Sequence, residues 1–259
     1  MPDRREGALP ETRAADARPI MLLTGASRGI GHATVKRFKA EGWRILTVSR
    51  QPFAEECLWP EARDSHLQAD LADPAAIAPL VAEVRRRLPD GRLHALVNNA
   101  GISPKVAGGG RMGLLQTEAA TWETVFNVNL FSTAMLARGL FDALKAGQGT
   151  IVNVTSIVGS RVHPFAGVAY ACSKAALAAL TREMAHEFGA HGIRVNAIAP
   201  GEIDTAILSP GTEDIIERQI PLRRLGDPAE VAETILFLCS SRSSYINGAE
   251  IHINGGQHV

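Results

Sequence analysis

Residues 20–23 read IMLL and run straight into TGASRGIG at 24–31. A strand with one wet face alternates apolar and polar residues, whereas a run that is apolar at every position is what a strand buried on both faces requires. Further strands are expected at 44–48 (RILTV), 65–69 (SHLQA), 94–98 (HALVN), 150–155 (TIVNVT), 193–199 (IRVNAIA) and 249–253 (AEIHI). Longer segments with helical periodicity separate these runs, at 29–41, 74–88, 118–146, 169–190 and 228–240. Asp73-Pro74 and Asp227-Pro228 each set a capping carboxylate before a proline at the first helical position. The repeated order of strand, helix and strand predicts a parallel sheet with helices on both faces.

A chain of 259 residues, 46% hydrophobic, buries one sizeable core, and no repeat or linker rich in Pro, Gly or Ser divides it. One domain is expected over 20–259. Residues 1–19 lack the apolar core of a secretory signal or membrane span and carry four acids, unlike a transit peptide, so they read as a flexible tail. Lysine plus arginine and aspartate plus glutamate number 27 each. That balance gives bulk charge no reason to hold nucleic acid or an anionic membrane, and the expected partner is a small molecule. Cys57, Cys172 and Cys239 lie far apart, without metal-ligand spacing, which fits a reducing, cytoplasmic setting; Cys172 is expected to be a small buried residue. The irregular stretches 102–117 and 201–226 are long enough to be functional loops, with Gly108 to Arg111 as a mobile rim.

A glycine-rich turn between a strand and its following helix presents backbone N–H groups where the helix dipole favours a phosphate. The glycines here are Gly25, Gly29 and Gly31, a spacing other than G-x-G-x-x-G. Further along stand Asn98-Asn99-Ala100-Gly101 at the end of the fourth strand, Asn129 in a helix, Ser156 after the fifth strand, and Tyr170-Ala171-Cys172-Ser173-Lys174 opening a helix. In this order the set resembles the short-chain dehydrogenase/reductase family, its 3-oxoacyl reductase-like members among them, from about Ile20 to the C-terminus. Asp70-Leu71, Arg194-Val195-Asn196 before Pro200-Gly201, and Asn247-Gly248 with Gly255-Gly256 extend the likeness. It implies a single-domain, Rossmann-like doubly wound α/β sheet of about seven mainly parallel strands, a nicotinamide dinucleotide, and a homodimer or homotetramer. Cofactor contacts are implied for Gly25, Ser27, Arg28, Gly29, Ile30 and Gly31 in the turn, and for Asp70 and Leu71 beside the adenine. The resemblance also implies contacts from Asn98, Ala100 and Gly101 along the cleft, and from Pro200, Gly201, Ile203 and Thr205 toward the nicotinamide. The segment from Ser156 to Tyr170 is one residue longer than the commonest family spacing, with the surplus inside GSRVHPFAG at 159–167.

Reducing a ketone takes a hydride and a proton for the developing alkoxide. Tyr170 is the expected general acid/base: a phenol of pKa about 10 is roughly one thousandth ionised at pH 7, which suits an acid and cripples a base. Lys174, four residues on and so on the same helical face, is expected to lower that pKa with its charge. By resemblance Lys174 also holds the nicotinamide ribose, Ser156 donates to the substrate carbonyl, with Thr155 and Ser160 as rival hydroxyls, and Asn129 is a proton-relay residue. A structural amide at a helix bend is the other reading of Asn129. The second strand ends Thr47-Val48-Ser49-Arg50, without the acid that holds ribose hydroxyls. Arg28 and Arg50 are therefore expected to clamp a 2′-phosphate, making NADP(H) the preferred cofactor and NAD(H) the alternative. His163 and Glu202 are candidates for binding a hydroxylated or cationic substrate, while Ile207, Leu208, Ile215 and Ile216 either cover an apolar one or dock the segment on the core. The function expected is interconversion of a ketone and a secondary alcohol. Within it, a 3-oxoacyl thioester reductase and an NAD-dependent sugar or polyol dehydrogenase are alternatives; a cofactor-binding sensor or structural subunit is the alternative outside it.

Overall fold

Seven strands form where the sequence predicts them: β1 (Ile20–Thr24), β2 (Arg44–Ser49), β3 (His66–Gln68), β4 (Ala95–Asn98), β5 (Thr150–Val154), β6 (Arg194–Pro200) and β7 (Glu250–Ile253). The structure is a computed structural model that describes residues 18–52, 62–205 and 212–259. All neighbouring strands pair in parallel, in the order β3-β2-β1-β4-β5-β6-β7. Every residue of β1, β4 and β5 is buried, because both faces of the sheet are covered. The alternation of side chains divides β1 between two apolar layers. Ile20 and Leu22 join Leu80, Leu136 and Phe188 on one face, and Met21 and Leu23 join Val35, Phe38 and Ile235 on the other. Strand order reverses between β1 and β4, which opens a crevice at their carboxyl ends.

The helices are α1 (Gly29–Ala40), α2 (Ala62–Ser65), α3 (Ile77–Arg86), α4 (Ala119–Phe126), α5 (Ser132–Gly139), α6 (Phe141–Ala146), α7 (Val168–Gly189), α8 (Thr212–Gln219) and α9 (Pro228–Leu238). Asp227 accepts from Ala229 N–H at 2.7 Å, and Glu230 reaches back to Asp227 N–H at 2.8 Å, so the predicted start of α9 is a full capping box. Asp73 caps as expected, but the turn it opens is a 3-10 turn, Pro74–Ala76, before α3.

The single helix expected over 118–146 is broken. Residues Asn127–Phe131 form a π turn between α4 and α5. The wider turn sends two asparagines out of the helix: Asn127 donates to the Ala72 carbonyl at 3.0 Å, and Asn129 bonds both backbone groups of Ile102. Gly108 and Gly109, both at positive φ, close a hydrogen-bonded turn between Val106 and Gly110. Ile215 and Ile220 are buried, so α8 docks on the body of the protein; Ile207 and Leu208 lie outside the described residues, as do Cys57 and residues 1–17. Cys172, expected inside, is exposed, because α7 turns that position away from the sheet.

Candidate active site

Gly25 leaves β1 at φ +71°, a conformation that L side chains rarely adopt, and its N–H stays tied to the Val48 carbonyl at 2.9 Å. Asn99 locks the turn by donating to the carbonyls of Thr24 at 3.1 Å and Gly25 at 2.8 Å. Gly31 lets α1 pack this close: a Cβ there would stand 2.1 Å from the Gly25 oxygen. Arg28 holds the N-cap position without a capping side chain, so the dipole and free N–H groups of the first turn face outward.

They face a cleft of about 540 Å³ along the carboxyl edge of the sheet. Gly25, Ser27, Arg28, Gly29 and Ile30 line one wall, and Arg50, Asp70 and Leu71 line the end beyond β2. Ala100 and Gly101 form the middle of the floor, while Pro200, Gly201, Ile203 and Thr205 close the side beyond β6. An uncapped helix N-terminus beside two guanidinium groups, in a cleft spanning the strand-order reversal, fits a dinucleotide with its phosphates on α1. Three expected contacts are displaced to a supporting layer. Gly31 packs α1 on β1, and buried Asn98 donates to Asn153 at 2.9 Å beneath the floor. Asn129 spends its amide on Ile102 N–H at 2.9 Å, the Ile102 carbonyl at 3.0 Å and Ser173 Oγ at 3.0 Å, so its side chain positions the floor and does not line the cleft.

Ser156, Tyr170 and Lys174 meet at the inner end of this cleft. Ser156 hydrogen-bonds Tyr170, and that bond favours the ionised phenol; burial outweighs it and raises the Tyr170 pKa above its ordinary 10, with the Glu202 charge adding in the same direction. Helical spacing from Lys174 predicts a lowered value, and burial reverses it. Lys174 Nζ lies 5.7 Å from the ring centroid and donates to the Val154 carbonyl at 2.6 Å, and burial pulls its own pKa from 10.5 to about 8. The rival hydroxyls are committed elsewhere. Thr155 donates to the Ile198 carbonyl at 2.8 Å and Ser160 to the Ile157 carbonyl at 3.0 Å.

His163 and Glu202 line the same end of the cleft and bind each other, Nε2 to Oε1 at 2.7 Å, with side-chain exposures of 7% and 13%. Phe165 N–H donates to His163 Nδ1 at 3.2 Å, which leaves the imidazole proton on Nε2, aimed at the carboxylate. Lys105, unremarkable in the sequence, completes this end: its ammonium donates to the Phe165 carbonyl, and burial lowers its pKa while Glu202 raises it. A lone lysine in a glycine-rich loop carries no signal by itself; only the folded loop after β4 brings it to the cleft.

A model of the family described as enoyl-(acyl carrier protein) reductase matches residues 25–258. The chain belongs to the short-chain dehydrogenase/reductase family. As a member it is an oxidoreductase acting on carbonyl and alcohol groups with a nicotinamide dinucleotide. It is 60% identical to protein FixR of Bradyrhizobium diazoefficiens over 93% of this chain and 87% of that protein. It is 36% identical to the 3-oxoacyl-acyl-carrier-protein reductase FabG of Thermotoga maritima, over 92% of this chain and 96% of that one. A short-chain dehydrogenase/reductase oxidoreductase from Brucella ovis, solved in complex with a partially ordered NAD, shares 59% identity at a TM-score of 0.80, covering 92% of this chain and all of the other. Among the described residues no group of three or more His, Cys, Asp or Glu is arranged to hold a metal, and no helix is long and apolar enough to cross a membrane.

Proposed function

We propose that this protein is an NADP(H)-dependent reductase of small ketones, run in reverse as a secondary-alcohol dehydrogenase, in the cytoplasm, with Tyr170 as general acid/base. The observation that carries the reading is the meeting of Ser156, Tyr170 and Lys174 at the inner end of a cleft whose outer wall is an uncapped helix N-terminus. Binding alone needs no partly buried phenol beside a hydroxyl and an ammonium, which counts against a sensor or structural subunit.

A nicotinamide dinucleotide held in this cleft, with its phosphates at the start of α1, would supply the hydride for a carbonyl carbon or accept it from an alcohol. Ser156 donates a hydrogen bond to the carbonyl oxygen and steadies negative charge as it develops there. Tyr170 passes its phenolic proton to that oxygen, and a pKa held up by burial keeps the phenol loaded at neutral pH. Lys174 carries positive charge beside the phenolate left behind; at a pKa of about 8 it is about nine tenths protonated at pH 7. In alcohol oxidation the same raised phenol is a poor base, a handicap that the positive charge of an oxidised nicotinamide would offset. Asn129 and Asn99 act as positioning residues through the floor of the cleft.

Arg28 and Arg50 both line the cleft and no acid stands at the end of β2, which supports a 2′-phosphate and hence NADP(H). The assembly we propose is a homodimer or homotetramer, supported by Phe131 and Met135, four residues apart and exposed at 51% and 44%. Incubation with NADPH deuterated at C4 of the nicotinamide and a panel of ketones tests the reaction. Deuterium is expected on the carbinol carbon of the product. Alcohol formed without deuterium at that carbon contradicts direct hydride transfer.

A further inference from the structure

The inner end of the cleft is built from three separate loops, and each sends one charged or titratable side chain into it. Lys105 comes from the loop after β4, His163 from the stretch between β5 and α7, and Glu202 from the turn after β6. The stretch carrying His163 is the one that is a residue longer than usual for the family. A pocket end made for an alkyl chain would hold apolar side chains, because burying a carboxylate and an ammonium costs free energy unless each is hydrogen-bonded. Here both are held. His163 Nε2 donates to Glu202 Oε1 at 2.7 Å, and Lys105 donates to the Phe165 carbonyl, whose N–H in turn fixes the His163 ring at 3.2 Å. One ammonium and one carboxylate leave this end without net charge.

The carboxylate is not fully spent. His163 takes Oε1 alone, and no hydrogen bond to a described residue reaches Glu202 Oε2. Glu202 keeps 13% of its side chain exposed, in the cleft it lines together with Tyr170 and Ser156. Its charge is near enough to act on the Tyr170 phenol. That second carboxylate oxygen is therefore an anionic acceptor available to a donor brought into the cleft, a role that an alkyl substituent cannot fill.

We propose that Glu202, oriented by His163, selects substrates that carry a hydrogen-bond donor, a hydroxyl or an ammonium, next to the reacting carbonyl or carbinol carbon. The proposal rests on the reductase reading and narrows its substrate class to small polar ketones and their alcohols. Simple acyl thioesters, which offer Glu202 no donor at that position, are disfavoured. The exposed Arg224, a guanidinium that an acidic carrier could otherwise engage, is moreover held bidentate by Glu230 at 2.7 and 2.8 Å. A site built to hydrogen-bond a substrate group rejects the analogue that lacks it far more strongly than an apolar pocket rejects a misfit.

Four substrates of similar size at the reacting end separate the cases: butan-2-one, 3-hydroxybutan-2-one, 3-aminobutan-2-one and an acetoacetyl thioester. The readout is the ratio of kcat/KM for each donor-bearing ketone to that for butan-2-one. In the wild type the hydroxyl or the ammonium arm is expected to exceed the plain ketone by about tenfold or more, and the larger of the two identifies the donor. Glu202→Gln, which offers an amide in place of the charge, is expected to pull that ratio toward one. His163→Gln, still able to donate to Glu202, keeps it, while His163→Leu loses it. Nicotinamide fluorescence on binding confirms that each variant retains its fold, and Glu202→Ala is read in the same way if Glu202→Gln is not recovered. Butan-2-one or the thioester turned over as well as the donor-bearing ketones overturns the proposal and leaves the reductase reading intact. So does a ratio untouched by loss of the carboxylate. A wild type that binds NADPH and turns over none of the four overturns both.

Discussion

Lys174 shows how a single buried charge links stability to function. Its amine is drawn from 10.5 to about 8 by burial, so the folded protein gives up this proton more easily than the unfolded chain does. The unfolded state therefore binds more protons between those two values, and stability rises with pH across that window. Below about pH 8 the folded state carries the full cost of the buried ammonium. The increment between pH 8 and 10 is on the order of 2 kcal/mol for this group alone. Lys174→Met removes it: denaturant unfolding of wild type and variant over that range is expected to show the wild type gaining relative to the variant, and parallel curves contradict a lowered pKa. Tyr170 has the opposite sign, since a raised phenol loses stability only as pH climbs past 10, which is why the comparison stops there. The two residues were legible as a pair at helical spacing. That Lys174 would be buried and Tyr170 partly so, and that burial would outweigh their mutual attraction, depends on packing from β5 and the turn after β6 that spacing does not encode.

The first strand, its turn and α1 act as one unit. A Cβ at Gly31 meets backbone at 2.1 Å and Asn99 Nδ2 at 2.7 Å, and backbone cannot swing aside as a flexible side chain does. Gly31→Ala is expected to lower the melting temperature by about 5 °C or more, from the roughly 1 to 3 kcal/mol typical of overpacking, and to weaken dinucleotide binding. Gly113→Ala, whose added Cβ meets only Gln116 Oε1 at 3.7 Å, is expected to change neither. Equal melting temperatures for the two variants contradict close packing of α1 on the turn. Strand positions and both proline-led helix starts were readable because continuous apolar runs and Asp-Pro pairs act locally. The π turn at Asn127–Phe131 was not, because the groups that turn the two asparagines outward, Ala72 and Ile102, lie more than one element away in sequence. Lys105 was illegible for the same reason.

Over the whole molecule, the carboxyl edge of one parallel sheet collects the uncapped start of α1, the two arginines and the inner Ser156, Tyr170 and Lys174 into a single cleft. If Arg28 and Arg50 set the cofactor together, Arg28→Ala with Arg50→Ala is expected to weaken NADPH by at least about tenfold while NADH changes by less than about threefold, read by fluorescence titration; equal losses contradict 2′-phosphate binding. If the proposed assembly forms through Phe131, wild type is expected to scatter as a dimer or tetramer and Phe131→Glu as a monomer, and an equal mass for the two contradicts that interface. The proposed mechanism assigns the proton transfer to Tyr170. Steady-state nicotinamide oxidation, with NADPH and NADH in parallel against polar and apolar ketones, compares the wild type with Tyr170→Phe at matched cofactor saturation. Turnover by the wild type that falls about 10²- to 10⁴-fold in the variant, with cofactor affinity held within about threefold, is the result predicted. Turnover that survives the loss of the phenolic hydroxyl contradicts it.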